Sequence, residues 1–173
     1  MKKILLLILI TLNFAPLKAQ EIITEKSKIH FEISNMGFRT VEGTFGGFEG
    51  DMNFNPLDLK NASFNVFIKV NTVDTDNKKR DEHLLKDDFF DAINYPKISF
   101  QSTSITKTKS GYSATGKLSM HGITKEVTIP FTYNNNTFTG KLILNRLDYE
   151  VGADTGTFMV GNEVIINITC AIN

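Results

Sequence analysis

Apolar and polar residues alternate along most of this chain, in short runs that are separated by turn residues. In the first run, Ile29, Phe31 and Ile33 fall on one face, and charged or polar residues fall on the other. A period of two is typical of a β-strand that buries one face and exposes the other. Eight or nine runs of similar length repeat this pattern, so the sequence predicts an all-β protein built from short strands.

The apolar face that these strands share has to be covered. An open sheet would leave two unpaired edges and a long apolar surface, whereas closure into an antiparallel barrel removes both. We therefore expect a barrel, although a two-sheet sandwich satisfies the same alternation. Phe45 and Phe48 can both point inward only if Gly46 and Gly47 shift the phase through a bulge or a tight bend. This region is then either two strands or one strongly bent strand.

The stretch that spans residues 80–100 departs from the alternation and has helical character. Leu85 and Phe89 form an apolar pair at the i, i+4 spacing, on a background of charged residues. Asp76 is suited to cap the start of a helix, and Pro96 pushes the residue before it out of the α region. We interpret the stretch as a short helical excursion between two strands, whose double Phe closes the mouth of the barrel.

The first residues predict export from the cytoplasm. Two lysines are followed by a short apolar run and by a small residue at Ala19, which is the pattern of a cleaved signal peptide. The run is shorter than the roughly 20 apolar residues that a membrane-spanning helix needs. We expect residues 1–19 to be a signal peptide and residues 20–173 to form one periplasmic or secreted domain. The residue directly after the predicted cleavage site is Gln20 and not Cys, which argues against a lipid anchor.

Charge and cysteine content argue against several functions. The chain has 19 basic and 19 acidic residues, and three of the lysines precede residue 20, so the predicted mature part is slightly acidic. That balance does not favour nucleic-acid binding. Cys170 is the single cysteine and cannot form an internal disulfide. Its place among alternating isoleucines predicts a buried and inert thiol.

No residue pattern specifies catalysis or a metal site. The histidines, His30, His83 and His121, lack the spacing of metal ligands, and neither a nucleophile elbow nor a phosphate-binding loop occurs. We therefore expect no catalytic residue, no metal and no cofactor. The one catalytic alternative pairs His83 with Asp81 or Asp87 in the helical stretch, at the barrel mouth.

The predicted barrel interior is rich in aromatic rings. Small residues recur between the rings: Gly43, Gly50, Ala114, Gly116 and Gly140. This interleaving is compatible with a tightly packed core or with room for a chain-like guest, since an eight-stranded barrel accommodates either. In the second case the inward side chains and the double Phe contact the ligand. The candidate ligand-binding residues are Phe31, Phe45, Phe48, Phe54, Phe64, Phe89, Phe90, Phe100, Leu118 and Phe131.

Several segments resemble the signature of the YceI-like family of secreted bacterial proteins. The longest is R-D-E-H-L-L-K-D-D-F-F-D-A-I-N-Y-P-K-I-S-F at residues 80–100. Further matches are V-E-G-T-F-G-G-F-E-G at residues 41–50, G-K-L-S-M-H-G-I-T-K-E-V at residues 116–127, and the R-L-D-Y element at residues 146–149. Together the matches span nearly the whole predicted mature chain and follow the order of the family signature.

The resemblance implies an extended, lipocalin-like antiparallel β-barrel of eight strands. Its elongated cavity would hold a polyisoprenoid chain, such as a quinone-type lipid. Relatives often carry His near the end of the first strand, where this chain has Asn35, so the resemblance leaves the head-group preference open.

The charged residues of the signature suit structural roles better than catalytic ones. We expect Arg80, Asp81 and His83 to fix the helix over the end of the barrel. Arg146 and Asp148 are expected to pair at a strand end, because Arg prefers carboxylate partners.

Together these observations predict a carrier or sequestering protein for a long apolar lipid, outside the cytoplasm. Two alternatives stay open: an enzyme that acts on a lipid, and a packed barrel that acts through a protein partner. The expected partners are the apolar lipid and, transiently, a membrane or a membrane protein. Phe67 and Ile165, which face outward, are compatible with a homodimer.

Overall fold

The computed structural model describes residues 20–173. The predicted signal peptide lies outside the described residues. The described part is mainly β-structure, with one short α-helix. The strands are β1 (Lys28–Asn35), β2 (Arg39–Phe45), β3 (Glu49–Asn53), β4 (Ser63–Lys69), β5 (Lys97–Lys107), β6 (Tyr112–Met120), β7 (Ile123–Asn134), β8 (Thr137–Asn145) and β9 (Val160–Ala171), and the helix is α1 (Lys78–Leu84).

The nine strands form one antiparallel sheet in the order β2-β1-β9-β8-β7-β6-β5-β4-β3. The two strands at its edges, β2 and β3, are consecutive in the chain and are joined by residues 46–48 alone. So short a connection requires the sheet to curl until its edges approach each other. The all-β barrel prediction is therefore confirmed, and the two-sheet alternative is wrong. The sheet has nine strands where eight were predicted, because the bent strand is divided into β2 and β3.

Within residues 20–173 the edge strands β2 and β3 form no ladder with each other, and isolated contacts with other segments cover their edges. On β2, Thr44 exchanges two backbone hydrogen bonds of 2.8 and 3.0 Å with Asp74, which follows β4. On β3, the Met52 carbonyl accepts from the Gln20 amide at 3.0 Å. The Gln20 side chain donates to the Phe54 carbonyl at 3.1 Å and accepts from the Phe54 amide at 2.9 Å. The edges are thus satisfied without a full strand pair.

The bend between β2 and β3 depends on glycine. Gly47 has a φ of +61°, a conformation that residues with a Cβ adopt with difficulty. The bend places the rings of Phe45 and Phe48 on the same side of the sheet, where they are 5% and 6% exposed. The phase shift predicted from the glycine pair is therefore present.

The helical excursion is shorter than predicted. α1 ends at Leu84, and a series of turns continues to Pro96. The prediction that Asp76 caps the helix is wrong: Asn77 is the cap, and its side chain accepts a hydrogen bond from the Arg80 amide at 3.1 Å. Asp76 has a φ of +57°, whereas Asn77 has the extended backbone that a capping residue needs.

An aromatic cluster closes one end of the barrel. It lies where β6 and β8 begin and β7 ends, and neighbouring ring centroids are 4.6–6.0 Å apart. Most pairs are edge-to-face, the geometry that aromatic quadrupoles favour. The members of this aromatic cluster are Phe54, Phe64, Tyr112, Phe131, Tyr133 and Phe138.

The outward apolar residues are partly covered within the chain. The Lys97 ammonium lies 3.7 Å from the centroid of the Phe67 ring. Ile165 is partly buried and lies opposite Glu32 and Ile143 in the ladder. A homodimer through this surface stays a prediction.

Candidate functional site

The barrel encloses a cavity of about 430 Å³, within the range of small-molecule pockets. Side chains from all nine strands, from α1 and from the turns after it line this space. The lining is almost entirely aliphatic and aromatic, so its interior suits an apolar guest.

The walls of the cavity are packed unequally. Inward side chains on β4, β5 and β6, such as Val66, Phe100 and Leu118, are buried against their neighbours. Eight inward side chains on β1, β8 and β9 also line the cavity but are only partly buried, because they face open space, whereas Phe138 and Cys170 on β8 and β9 are buried. These partly buried residues are Ile29, Phe31, Ile33, Leu142, Leu144, Val164, Ile166 and Ile168.

Nine of the ten candidate ligand-binding residues line the cavity. They are Phe31, Phe45, Phe48, Phe64, Phe89, Phe90, Phe100, Leu118 and Phe131. Phe54 is not part of the lining: it is 3% exposed and packs inside the aromatic cluster at the closed end. Contact of the other nine with a ligand stays a prediction.

The aliphatic wall formed by β8 and β9 was not among the predicted site residues. Leu142 and Ile166 are direct partners in the β8–β9 ladder, and both line the cavity. The signal was present, because the same alternation places both side chains on the inner face. The prediction favoured the phenylalanines because their side chains are larger.

The small inward residues have two different roles. Ala114 and Gly140 line the cavity. At Gly43 a Cβ would lie 2.5 Å from the Phe31 ring, so this glycine makes room for that ring. At Gly50 and Gly116 a Cβ would collide with a backbone carbonyl of the neighbouring strand. Tight packing therefore explains these three glycines, and only Ala114 and Gly140 border open space.

Polar lining groups are confined to one end of the cavity. Ser34 and Asn35 lie at the end of β1, and Ser99 lies near the start of β5. Arg80 and His83 lie on α1, and Arg146 and Thr155 lie between β8 and β9. The opposite end is closed by the aromatic cluster. The cavity is thus polar at its mouth and apolar in its depth, an arrangement that matches a lipid with a polar head and an apolar chain.

Thr75 connects α1 to the edge of the barrel. Arg80 Nε donates to Thr75 Oγ1 at 2.8 Å, and Arg80 Nη2 donates to the Thr75 carbonyl at 2.7 Å. Asp81 Oδ1 accepts from the Thr75 amide at 3.0 Å and from its hydroxyl at 2.5 Å. Arg80 and Asp81 therefore hold the helix over the barrel end, as the sequence predicted.

The catalytic pair proposed for His83 does not form. His83 Nε2 lies 2.7 Å from Asp88 Oδ2, and Asp81 is engaged by Thr75. The pairing of His83 with Asp81 or Asp87 is therefore wrong. The turn after α1 brings Asp88 back over the helix, and its neighbour Phe89 packs edge-to-face on the His83 ring with centroids 4.9 Å apart. His83 thus joins the helix to the turn, and this side-chain pair is about half exposed.

Arg146 is a buried cation whose partners are all backbone carbonyls. It is 4% exposed and donates five hydrogen bonds, so every guanidinium N–H is used. Burial lowers the pKa of its guanidinium. The accepting carbonyls belong to Val151, Gly152, Thr155, Val160 and Gly161.

The predicted pair between Arg146 and Asp148 is wrong. Asp148 Oδ1 lies 3.2 Å from Lys125 Nζ on the neighbouring β7, in an exposed ion pair. Arg146 points inward and organises the connection from β8 to β9, which forms part of the cavity mouth.

Tyr149 carries a buried hydroxyl that has no partner within residues 20–173. The side chain is 1% exposed, and burial, with a smaller contribution from Asp148, raises its pKa. Tyr149→Phe is expected to raise the free energy of unfolding by about 1 kcal/mol, because it removes an unsatisfied buried group. Urea unfolding measures this change. Tyr133→Phe is the control, since the Tyr133 hydroxyl donates to Asn136 at 3.1 Å, and a loss of stability in Tyr149→Phe would contradict the prediction.

Cys170 is 2% exposed, and burial raises the pKa of its thiol to about 11. Iodoacetamide is therefore expected to leave the folded protein unmodified at about pH 8 and to alkylate it in urea.

The unfolded thiol ionises at lower pH than the folded one. The free energy of unfolding should therefore fall as the pH rises from 9.0 to about 11, and less so in Cys170→Ala. Rapid alkylation of the folded protein at about pH 8 would contradict the prediction that the thiol is protected.

Comparison with known proteins identifies the family. The sequence profile of the YceI-like domain matches residues 21–172. The chain belongs to the YceI-like family. This YceI-like protein is 31% identical over 160 residues to a UPF0312 protein of Vibrio campbellii, with 84% of this chain and 85% of the relative covered.

Solved structures agree with the fold. Burkholderia cenocepacia BcnA is 31% identical, with a TM-score of 0.77, and the match covers 87% of this chain and 98% of that one. Campylobacter jejuni YCEI protein is 25% identical, with a TM-score of 0.68 and coverage of 79% and 86%. A polyisoprenoid binding domain from Saccharophagus degradans shares the fold at 14% identity, with a TM-score of 0.67 and coverage of 90% and 98%.

Two further observations apply to residues 20–173 of this YceI-like protein. None of its helices there has the length and apolar character needed to cross a bilayer. Within the same residues, His, Cys, Asp and Glu side chains form no group of three that could hold a metal ion.

Proposed function

We propose that this protein binds a long apolar lipid of the isoprenoid class and carries or sequesters it outside the cytoplasm, without catalysis. One observation carries the proposal. Eight inward apolar side chains of β1, β8 and β9 are only partly buried, so the barrel keeps a wall of uncovered apolar surface. A protein that served only as a packed scaffold would gain stability by filling this space.

The physical chemistry of the cavity favours a chain-like guest. Each buried methylene contributes about 0.8 kcal/mol, so a five-carbon unit gives up to about 4 kcal/mol before the costs of ordering and association. A few such units bind tightly without polar contacts. The Saccharophagus degradans neighbour, described as a polyisoprenoid binding domain, has the same fold and supports the isoprenoid class.

The polar mouth orients the ligand in this proposal. An apolar chain extends toward the aromatic cluster, and its head group lies near Asn35, Arg80 and Thr155. The Asn35 side-chain amide donates to the Met159 carbonyl at 2.6 Å. Asn35 therefore contributes to the head-group region as a neutral and already bonded group.

The predicted signal peptide supports a location outside the cytoplasm. A lipid of this length is nearly insoluble in water, because its long chain is apolar. A soluble barrel that covers the chain would allow it to be stored or moved between membranes. No cofactor is required for this role.

Uptake of a defined isoprenoid alcohol tests the proposal. The protein is incubated with geranylgeraniol or with the straight-chain alcohol of equal carbon number, and bound alcohol is counted by native mass spectrometry. We expect one geranylgeraniol per protein and weaker uptake of the straight chain. The absence of uptake of either alcohol by the folded protein would contradict the proposal.

A further inference from the structure

Four large apolar side chains are exposed together at one end of the barrel. Met36 and Phe38 lie in the β1–β2 turn, where they are 37% and 75% exposed. Phe158 and Met159 lie just before β9, where they are 69% and 46% exposed. We call these four residues the apolar rim. A cluster of exposed apolar side chains is a common feature of interaction surfaces, where aromatic residues and methionine are enriched.

The two halves of the apolar rim are in direct contact. The Met36 amide donates to the Met159 carbonyl at 3.2 Å, and the Asn35 side chain donates to the same oxygen. The Phe158 ring lies against Gly37, where an added Cβ would be 3.2 Å from it. The apolar rim is therefore one surface, held by hydrogen bonds between the two loops.

The apolar rim is continuous with the cavity. Met159 is exposed on the outside and also lines the cavity, together with Asn35, Thr155 and Val160. Apolar surface thus runs from the solvent-exposed rings to the interior. A lipid that entered over Met159 would cross little water on its path into the barrel.

The charge of the apolar rim also constrains its partner. Residues 36–39 and 155–162 contain no Asp or Glu, and Arg39 is their only charged residue, although Asp154 and Glu163 adjoin the second segment. The Arg39 guanidinium lies 5.5 Å from the centroid of the Phe38 ring. In a chain with 19 acidic residues, an acid-free apolar surface with one guanidinium is complementary to an anionic lipid surface.

We propose that the apolar rim docks on an anionic phospholipid bilayer, so that the cavity mouth opens onto the membrane and lipid moves directly between bilayer and barrel. The transfer of lipid in this inference rests on the proposed function, since it requires that the barrel binds a lipid. Phe38 and Phe158 enter the interface between head groups and acyl chains, where aromatic rings are favoured. Arg39 stays at the level of the phosphates, which guanidinium groups bind in a planar fork.

The absence of Trp from the sequence allows a clean test. Phe38→Trp places a single fluorophore on the apolar rim, and Leu57→Trp places one at the closed end, where Leu57 is 95% exposed. Both proteins are titrated with vesicles of phosphatidylcholine and phosphatidylglycerol. We expect the emission of Phe38→Trp to shift to shorter wavelength and that of Leu57→Trp to stay unchanged. Equal shifts, or no shift in either protein, would overturn the proposal.

Vesicle flotation measures how strongly the apolar rim binds. Phe38→Ser with Phe158→Ser is expected to weaken binding at least about tenfold, because two rings lose their apolar burial. Leu57→Ser should bind as the unchanged protein does. Arg39→Gln should weaken binding about fivefold on anionic vesicles and leave binding to neutral vesicles unchanged. Equal flotation of the double variant and the unchanged protein would overturn the proposal.

A second copy of the chain is the rival occupant of the apolar rim. A blue shift of Phe38→Trp that depends on protein concentration without vesicles, with a dimer mass that the double serine variant lacks, would overturn membrane docking. The two proposals fail separately. Uptake of geranylgeraniol without vesicle binding would refute the docking alone, and vesicle binding without uptake would refute the lipid-carrier function alone.

Discussion

Arg146→Met is expected to lower the free energy of unfolding by about 3–5 kcal/mol, because it leaves five carbonyl oxygens without their buried donor. A domain of this kind is stable by about 5–15 kcal/mol in total. The loss is therefore a large part of its stability. Equilibrium urea unfolding, followed by circular dichroism, measures the change.

Two further variants show whether the bond geometry or the charge is responsible. Arg146→Lys keeps the cation but places its three donors on one nitrogen, which cannot reach five carbonyls. It should therefore lose more than half as much stability as Arg146→Met. Arg39→Met is the control, since this exposed arginine is expected to change stability by less than about 0.5 kcal/mol. A loss below about 1 kcal/mol in Arg146→Met would contradict the role assigned to Arg146.

Leu142→Trp combined with Ile166→Trp is expected to abolish lipid uptake while the fold is kept. These residues are cross-strand partners that project into the cavity and are only partly buried. Two indoles there would occupy the space that the ligand needs. Filling an open cavity costs little stability, in contrast to overfilling a packed core. We expect geranylgeraniol uptake to fall at least about tenfold, measured by native mass spectrometry.

The same two strands provide a matched control. Ile143 and Ile165 are the next pair along the β8–β9 ladder and point to the outer face, where Ile143 is 51% exposed. Ile143→Trp combined with Ile165→Trp adds the same two indoles outside the barrel. This variant should take up lipid as the unchanged protein does. Equal uptake by the inward and outward variants would show that the ligand does not lie in the cavity.

The fold was accessible from the sequence because it depends on a local pattern. Period-two alternation determines which side chains share a face, and Gly46 and Gly47 signal the bend between Phe45 and Phe48. Seven of the nine candidate residues that line the cavity follow from the same alternation, and Phe89 and Phe90 follow from the helical stretch. Phe54 lies on the inner face but outside the cavity lining, because position on the inner face does not tell whether a ring meets open space or other rings.

The errors concern contacts between segments that are distant in the chain or that bend irregularly. Arg146 binds carbonyls of the loop that follows it, and backbone acceptors leave no mark in the sequence. The partner of His83 is Asp88 and not Asp87, because the turns after α1 decide which carboxylate returns over the helix. Likewise, the packing role of Gly116 depends on the backbone of the neighbouring strand. Composition could not distinguish a packed interior from an open one.

We propose that the barrel interior holds an isoprenoid-type lipid, and native mass spectrometry of the protein purified without detergent tests this claim. We predict a stoichiometric apolar adduct that organic extraction identifies as a polyprenyl compound, and that is missing from the Leu142→Trp, Ile166→Trp variant. A protein mass without any adduct, together with no uptake of added isoprenoids, would contradict the claim and favour a barrel that acts through a protein partner.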